Sequence, residues 1–157
     1  MAKIYLAADH AGFALKEQIK SYLKEQGLAV EDQGAYTLEP TDDYTDYVKI
    51  VARLVQGDPG SRGIVFGGSG QGEAMCANRL AGVRAAVYYG GKLDIVELSR
   101  AHNNANVLSL GARFISLGEA KEVVDLWLKT TFSNEERHLR RINEIDNLEN
   151  IGGALKY

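Results

Sequence analysis

Short continuous apolar runs alternate along this chain with longer segments of helical spacing. Ile4 to Ala8, Gly63 to Phe66, Val83 to Val87 and Val107 to Leu110 are apolar at nearly every position, as strands buried on both faces require, and Leu28 to Glu31 is a weaker fifth. In the first intervening segment Phe13, Leu15, Ile19, Tyr22 and Leu23 recur with helical spacing opposite Lys16, Glu17, Lys20 and Lys24, and Gly27 stands where a helix terminates. Asp46 to Gln56, Gly72 to Leu80, Lys92 to Ala101 and Glu119 to Lys129 read the same way, the first closed by Gly57-Asp58-Pro59-Gly60. Strand and helix alternating this regularly predict a Rossmann-like three-layer α/β/α sandwich: a five-stranded parallel sheet with helices on both faces, folded as one domain over residues 1–157.

Two capping boxes, Ser116 with Glu119 and Ser133 with Glu136, predict where the last two helices begin. The final helix, expected over Glu135 to Asn150, is unlike the others. Its apolar residues Leu139, Ile142, Ile145 and Leu148 form a narrow stripe at three-residue steps, and Arg137, His138, Arg140 and Arg141 crowd its start. Such a seam suits packing across a dimer interface better than packing on the chain's own sheet. Composition narrows the picture further. With 157 residues the chain can bury a core without staples, and its one cysteine, Cys76, forms no internal disulfide and reads most simply as a small core residue. A net charge of -3 argues against a nucleic-acid or membrane-surface partner, and no run is long and apolar enough for a signal peptide or a membrane span, so a cytoplasmic protein is expected. An anionic ligand must then be caught by a local cluster.

The third strand runs into Gly67-Gly68-Ser69-Gly70-Gln71-Gly72-Glu73 and a helix. A glycine-rich turn at the carboxyl end of a parallel strand exposes backbone N–H groups beside a helix N-terminus, which favours either a bound phosphate or an oxyanion formed during a reaction. A tight turn needing positive φ would use fewer glycines. The loop lacks the lysine of a P-loop and follows the wrong strand for a dinucleotide or flavin phosphate site; a receiver domain would need an aspartate where Gly67 stands. Glu73 has a bland explanation, the preference of a helix N-terminus for an acid. Its functional one is a carboxylate taking a proton from carbon while the loop amides hold the resulting oxyanion. Asp9 alone would be an N-cap, and His10, His102 and His138 taken singly are surface or capping histidines. Together, Asp9, the glycine loop and the loop after the fourth strand are expected at one edge of the sheet. Arg137 and Arg141 share a helix face and could fork a phosphate, with Arg113 after the fifth strand as a further cation; Glu135, Glu136 and Glu144 offer the alternative of a salt-bridged surface.

Four segments in order, Ala8-Asp9-His10-Ala11-Gly12, the glycine loop through Glu73 with Ala77-Asn78-Arg79, His102-Asn103-Asn104-Ala105-Asn106, and Arg137-His138-Leu139-Arg140-Arg141, resemble the sugar-phosphate isomerase family of the type B ribose-5-phosphate isomerases. That family also contains galactose- and allose-6-phosphate isomerases. The resemblance implies a homodimer, or a tetramer built from it, with active sites at the subunit interface and neither metal nor organic cofactor. It implies an aldose-ketose isomerase acting on D-ribose 5-phosphate, the same chemistry on another aldose phosphate being the alternative. One branch uses a cysteine base where this chain has Gly67; the sequence is similar to the other branch, whose base corresponds to Glu73. By the same resemblance His102 is the acid that opens the furanose ring, Asp9 takes the anomeric hydroxyl proton, and Gly68, Ser69, Gly70, Gln71 and Gly72 form the anion hole. Arg113, Arg137 and Arg141 are implied as phosphate ligands, some from the partner subunit, and His10, Tyr44 and Asn103 as substrate contacts, with Tyr47 a near neighbour of Tyr44. Outside the family the rivals are a non-catalytic sugar-phosphate or nucleotide-binding module, which would not need Asp9, Glu73 and His102 together, and an interaction protein built on the last helix.

Overall fold

The computed structural model describes residues 2–148. Among them five strands, β1 (Ile4–Ala8), β2 (Val30–Asp32), β3 (Arg62–Gly67), β4 (Ala85–Tyr88) and β5 (Val107–Gly111), alternate with α1 (Phe13–Glu25), α2 (Tyr44–Gly57), α3 (Gln71–Ala77), α4 (Asp94–Ala101) and α5 (Leu117–Lys129), and α6 (Glu136–Asp146) closes the series. The sheet is parallel throughout, in the order β2-β1-β3-β5-β4. The expected α/β sandwich of five parallel strands is therefore found. No helix among the described residues is long and apolar enough to cross a membrane.

Alternation along the strands builds two cores. Ile4, Leu6, Ala8, Ile64, Phe66, Leu108 and Leu110 face α1, α4 and α5, where Leu15, Ile19, Leu23, Val96, Val123, Val124 and Trp127 meet them. Tyr5, Ala7, Val65 and Val107 face the other way, onto Val48, Val51, Ala52 and Val55 of α2 and Ala77 of α3. The central strands β1, β3 and β5 are thus covered on both sides, which is why they read as continuous apolar runs, while the edge strands β2 and β4 are less buried. The chain leaves β1 for one neighbour and returns past it to β3, so β1 and β3 flank the point where the strand order reverses; Ala8 pairs with Phe66 there. Open parallel sheets bind ligands at the carboxyl ends of such strands.

Several boundaries differ from the sequence reading, each for a local reason. α3 stops at Ala77, short of Leu80, because the Asn78 side chain turns to the start of β4, accepting from Ala85 N at 2.7 Å and donating to Ala85 O at 3.1 Å. β4 begins at Ala85, not Val83, because the Arg84 amide is drawn to Asn106 Oδ1 at 2.8 Å. The Ser116 box forms, with Glu119 N donating to Ser116 Oγ at 3.1 Å. The Ser133 box does not. Asn134 takes a left-handed backbone (φ 56), Ser133 Oγ receives only Glu135 N at 3.4 Å, and α6 starts at Glu136 with Glu135 as an uncapped N-cap. α6 ends at Asp146, and the expected run to Asn150 continues outside the described residues. Of its stripe only Ile142 is buried; Leu139, Ile145 and Leu148 are exposed, so the chain's own sheet does not cover this face.

Candidate active site

At the reversal point Asp9, His10, Ala11, Tyr44, Gly68, Ser69, Gly72, Glu73, Arg113 and Phe114 line a cavity of ≈ 390 Å³. Asp9 is 6% exposed and its Oδ1 accepts from Ala11 N at 3.0 Å and Gly12 N at 3.2 Å, so the β1 turn fixes this carboxylate. Gly12 can begin α1 here because it has no Cβ, which would collide with the Phe66 carbonyl. On β3, Gly67 O and Gly68 O accept from Ala112 N at 2.8 Å and Arg113 N at 3.1 Å, and Gly70 O accepts from Ser109 Oγ at 2.6 Å. β5 therefore pins the glycine loop along its length. Gly70 takes φ 78 to turn the chain into α3, whose N-terminus has no side-chain cap from Gly70; Gln71 N is claimed by Ser69 Oγ at 3.3 Å and Glu73 N by its own carboxyl group.

Glu73 lies in the first turn of α3 and is 4% exposed. Its carboxyl group is folded back over Gly67 so closely that a Cβ on residue 67 would fall inside it. A side chain at 67 and a carboxylate at 73 thus exclude each other in this geometry. Burial pushes the Glu73 carboxyl above its ordinary range, the nearby Asp9 adds to this, and its own backbone N–H opposes it. A desolvated carboxylate with raised pKa beside unclaimed amides has the properties of a general base paired with an oxyanion site. Tyr44 covers the loop from α2: a Cβ on Gly72 would lie 2.6 Å from its Oη. Tyr44 lines the cavity and Tyr47 does not. The Arg113 guanidinium rests on Gly68, with Nη1 3.1 Å from where a Cβ would stand, and brings positive charge to one end of the cavity.

Sequence reasoning overlooked Asp42. Its Oδ1 accepts from His10 N at 2.9 Å and pairs with His10 Nδ1 at 2.8 Å, joining residues 32 apart in the chain. The pair Asp42-Asp43 ahead of a helix was the only available signal, and it reads as capping. Among the described residues, Asp9, His10 and Asp42 are the group whose ligand atoms cluster within 4.8 Å, as a divalent-cation site would need. Asp9 Oδ1, Asp42 Oδ1 and His10 Nδ1 are already joined to one another or to backbone N–H groups, an arrangement that holds a histidine, while Asp42 Oδ2 is buried without a hydrogen-bond partner.

The remaining expected residues are elsewhere. His102 ends α4 and so leads into β5 at the amino edge of the sheet, opposite Asp9 and Glu73. His102 therefore lies apart from Asp9 and the glycine loop within one chain. Its ring stacks on His138 of α6, centroids 4.3 Å apart and planes at 16°. His138 is buried, and desolvation, with His102 and Arg137 adding, holds its pKa below the ordinary range. Asn103 stands next to His102, its carbonyl accepting from Arg84 Nε at 3.1 Å. Arg137 and Arg141 project from α6 into solvent, and Arg137 Nε donates to Glu135 Oε2 at 2.8 Å. None of these four lines the cavity at the carboxyl edge.

Comparison with known proteins gives one consistent picture. Residues 4–145 match the family model described as Ribose/Galactose Isomerase. A ribose-5-phosphate isomerase B of Mycobacterium leprae is 40% identical over 147 residues, spanning 94% of this chain and 90% of that protein. The crystal structure of a ribose 5-phosphate isomerase from Thermotoga maritima superposes with a TM-score of 0.86 at 43% identity, over 93% of this chain and 98% of that one. The ribose-5-phosphate isomerase B of Mycoplasma genitalium, solved with bound ribulose-5-phosphate, gives 0.89 at 37% identity over 95% and 97%.

Proposed function

The chain belongs to the ribose/galactose isomerase family, and from that premise we propose that it interconverts D-ribose 5-phosphate and D-ribulose 5-phosphate. The observation that carries this reading is the single cavity holding a buried carboxylate of raised pKa, unclaimed loop amides and an arginine. Those are the parts an aldose-ketose proton shuttle requires. In the open-chain aldose Glu73 removes the proton from C2, and the C1 carbonyl oxygen becomes negative as a cis-enediolate forms. The amides of Gly68 to Gly72, with the Ser69 hydroxyl, hold that oxygen. Glu73 returns its proton to C1 while the O2 hydroxyl proton passes to O1, leaving the ketone at C2. Desolvation suits Glu73 to both halves of the cycle, because a base near its own pKa gives the proton back as readily as it takes it.

The substrate enters as a furanose, and ring opening needs an acid at the ring oxygen and a base at the anomeric hydroxyl. Asp9 is the base. His102 is the acid, supplied by a second copy of the chain, because it stands at the opposite edge from Asp9 in its own subunit. Asn103, Arg137 and Arg141 accompany His102 as substrate and phosphate ligands from that copy, joining Arg113, His10 and Tyr44 of the first. The uncovered residues Leu139, Ile145 and Leu148 of α6 support such a dimer, which is the cytoplasmic working unit. The test is turnover of ribose 5-phosphate by chelator-treated protein alongside Glu73→Gln. Metal-independent turnover in the wild type and its collapse in the variant are expected; a wild type that turns over other aldose phosphates but not this one would overturn the substrate.

A further inference from the structure

The segment from Tyr36 to Thr41 is exposed at every residue and leads into Asp42, whose partner His10 lines the cavity. It is fastened at two points. Ala35 N donates to Ala8 O at 2.7 Å at its start, and at its end Asp42, its side chain 6% exposed, takes both His10 N–H groups on one oxygen. This is more than a loop anchor, because an imidazole has two nitrogens and the carboxylate claims one. We propose that Asp42 is the positioning residue for His10: it fixes the ring through Nδ1 so that Nε2 faces the phosphate end of the cavity beside Arg113. The inference rests on the sugar-phosphate reading of that cavity.

The chemistry follows from proton counting. With Nδ1–H donated to Asp42, a neutral His10 presents a lone pair at Nε2, which repels a phosphate oxygen. Only the cation presents Nε2–H. Asp42 favours that cation, as does Asp9 next to it in the chain, while Arg113 opposes it; the bond to Asp42 is the largest of these influences and the His10 pKa is raised. Tyr47 of α2 faces the Asp42 carboxylate and, with His10, keeps it ionised below its ordinary pKa. Tyr44 is the titratable side chain of α2 that lines the cavity itself. Asp42 therefore sets both the direction of the ring and the pH up to which it can donate to a phosphate.

Asp42→Asn separates these from simple anchoring, since the amide oxygen still accepts from both His10 N–H groups but carries no charge. The ring resonances of the three histidines are followed by NMR against pH in the full-length wild type, Asp42→Asn and Asp42→Ala, with and without inorganic phosphate. In the wild type His10 should titrate above the ordinary histidine range and respond to phosphate. In Asp42→Asn its titration should fall, and KM for ribose 5-phosphate at alkaline pH should rise about tenfold, the loss of one charge-assisted contact, with the change on KM rather than kcat. Asp42→Ala should lower phosphate affinity at every pH, because the ring is then free to turn. A His10 titration unchanged by Asp42→Asn overturns the proposal even if the enzyme is fully active. A wild type without isomerase activity overturns the functional reading instead, and the phosphate titrations then decide the role of Asp42 by themselves.

Discussion

The carboxyl edge of the sheet and its amino edge hold different sets of the residues proposed for the chemistry. At the carboxyl edge Asp9, Glu73, Tyr44, Arg113 and the glycine loop surround one cavity, the loop being held by backbone bonds from Ala112 and Arg113 after β5. At the amino edge His102 and His138 stack, Arg137 and Arg141 reach into solvent, and the apolar face of α6 is uncovered. The first edge holds a buried carboxylate of raised pKa and unclaimed amides, with His10 as its imidazole. The second has a stacked pair of imidazoles and solvent-facing cations. Under the proposed mechanism the amino edge of one copy completes the cavity of another.

The largest expected effect concerns the complete edge. Glu73→Gln keeps the volume and removes the base, so turnover of ribose 5-phosphate should fall by about 10²–10⁴ while equilibrium binding persists. A variant that binds and still turns over would move proton transfer to another group, with Asp9 the only other buried carboxylate lining the cavity. The next effect is steric. Gly67→Ala puts a methyl group where the Glu73 carboxyl lies, and displacing a base by about 1 Å costs about 10²-fold, so kcat should drop by that order with KM little changed. Adding Glu73→Asp, whose shorter side chain retreats from the methyl group, should recover part of the loss. Unchanged kcat in Gly67→Ala would mean that Glu73 works from a different position.

The comparison itself is broken or upheld by mixing. Glu73→Gln and His102→Asn should each be nearly inactive alone. If His102 serves the partner's cavity, random exchange between the two makes half the dimers mixed, each with one intact site, and activity should recover to about a quarter of wild type. A mixture no more active than its parents would place His102 and Glu73 in the service of one chain.

Legibility followed chain distance. The glycine loop with Glu73 and the Asp9 turn were readable because each is a local segment whose conformation its own residues dictate, and both landed where the alternation of strands and helices put them. The edge occupied by His102 was also legible, since a residue between a helix and the next strand belongs to the amino edge. Asp42 was not legible. Its partner is 32 residues away, and nothing in Asp42-Asp43 distinguishes a latch on His10 from a helix cap. The Ser133 box failed for a related reason: the spacing was correct, but the left-handed Asn134 turned the hydroxyl away from the helix it was to cap.

The smallest expected effect asks whether the carboxyl edge is strained for function. Because the folded-state pKa of Glu73 is raised, the folded chain holds its proton more tightly than the unfolded chain does. Between the ordinary carboxylate pKa and the raised one the folded state binds more protons, so stability falls as pH rises through that window and stays lowered above it. A neutral glutamine escapes this. Glu73→Gln should therefore melt at the same temperature as wild type below the ordinary carboxylate range and a few degrees higher at alkaline pH, a difference on the scale of about 1 kcal/mol in a domain this size. Thermal melts across pH, with the paired His102→Asn variant as the amino-edge control, give the comparison. A glutamine variant no more stable than wild type at any pH would mean that the loop amides compensate the buried charge in full, and the base would then owe its reactivity to position alone.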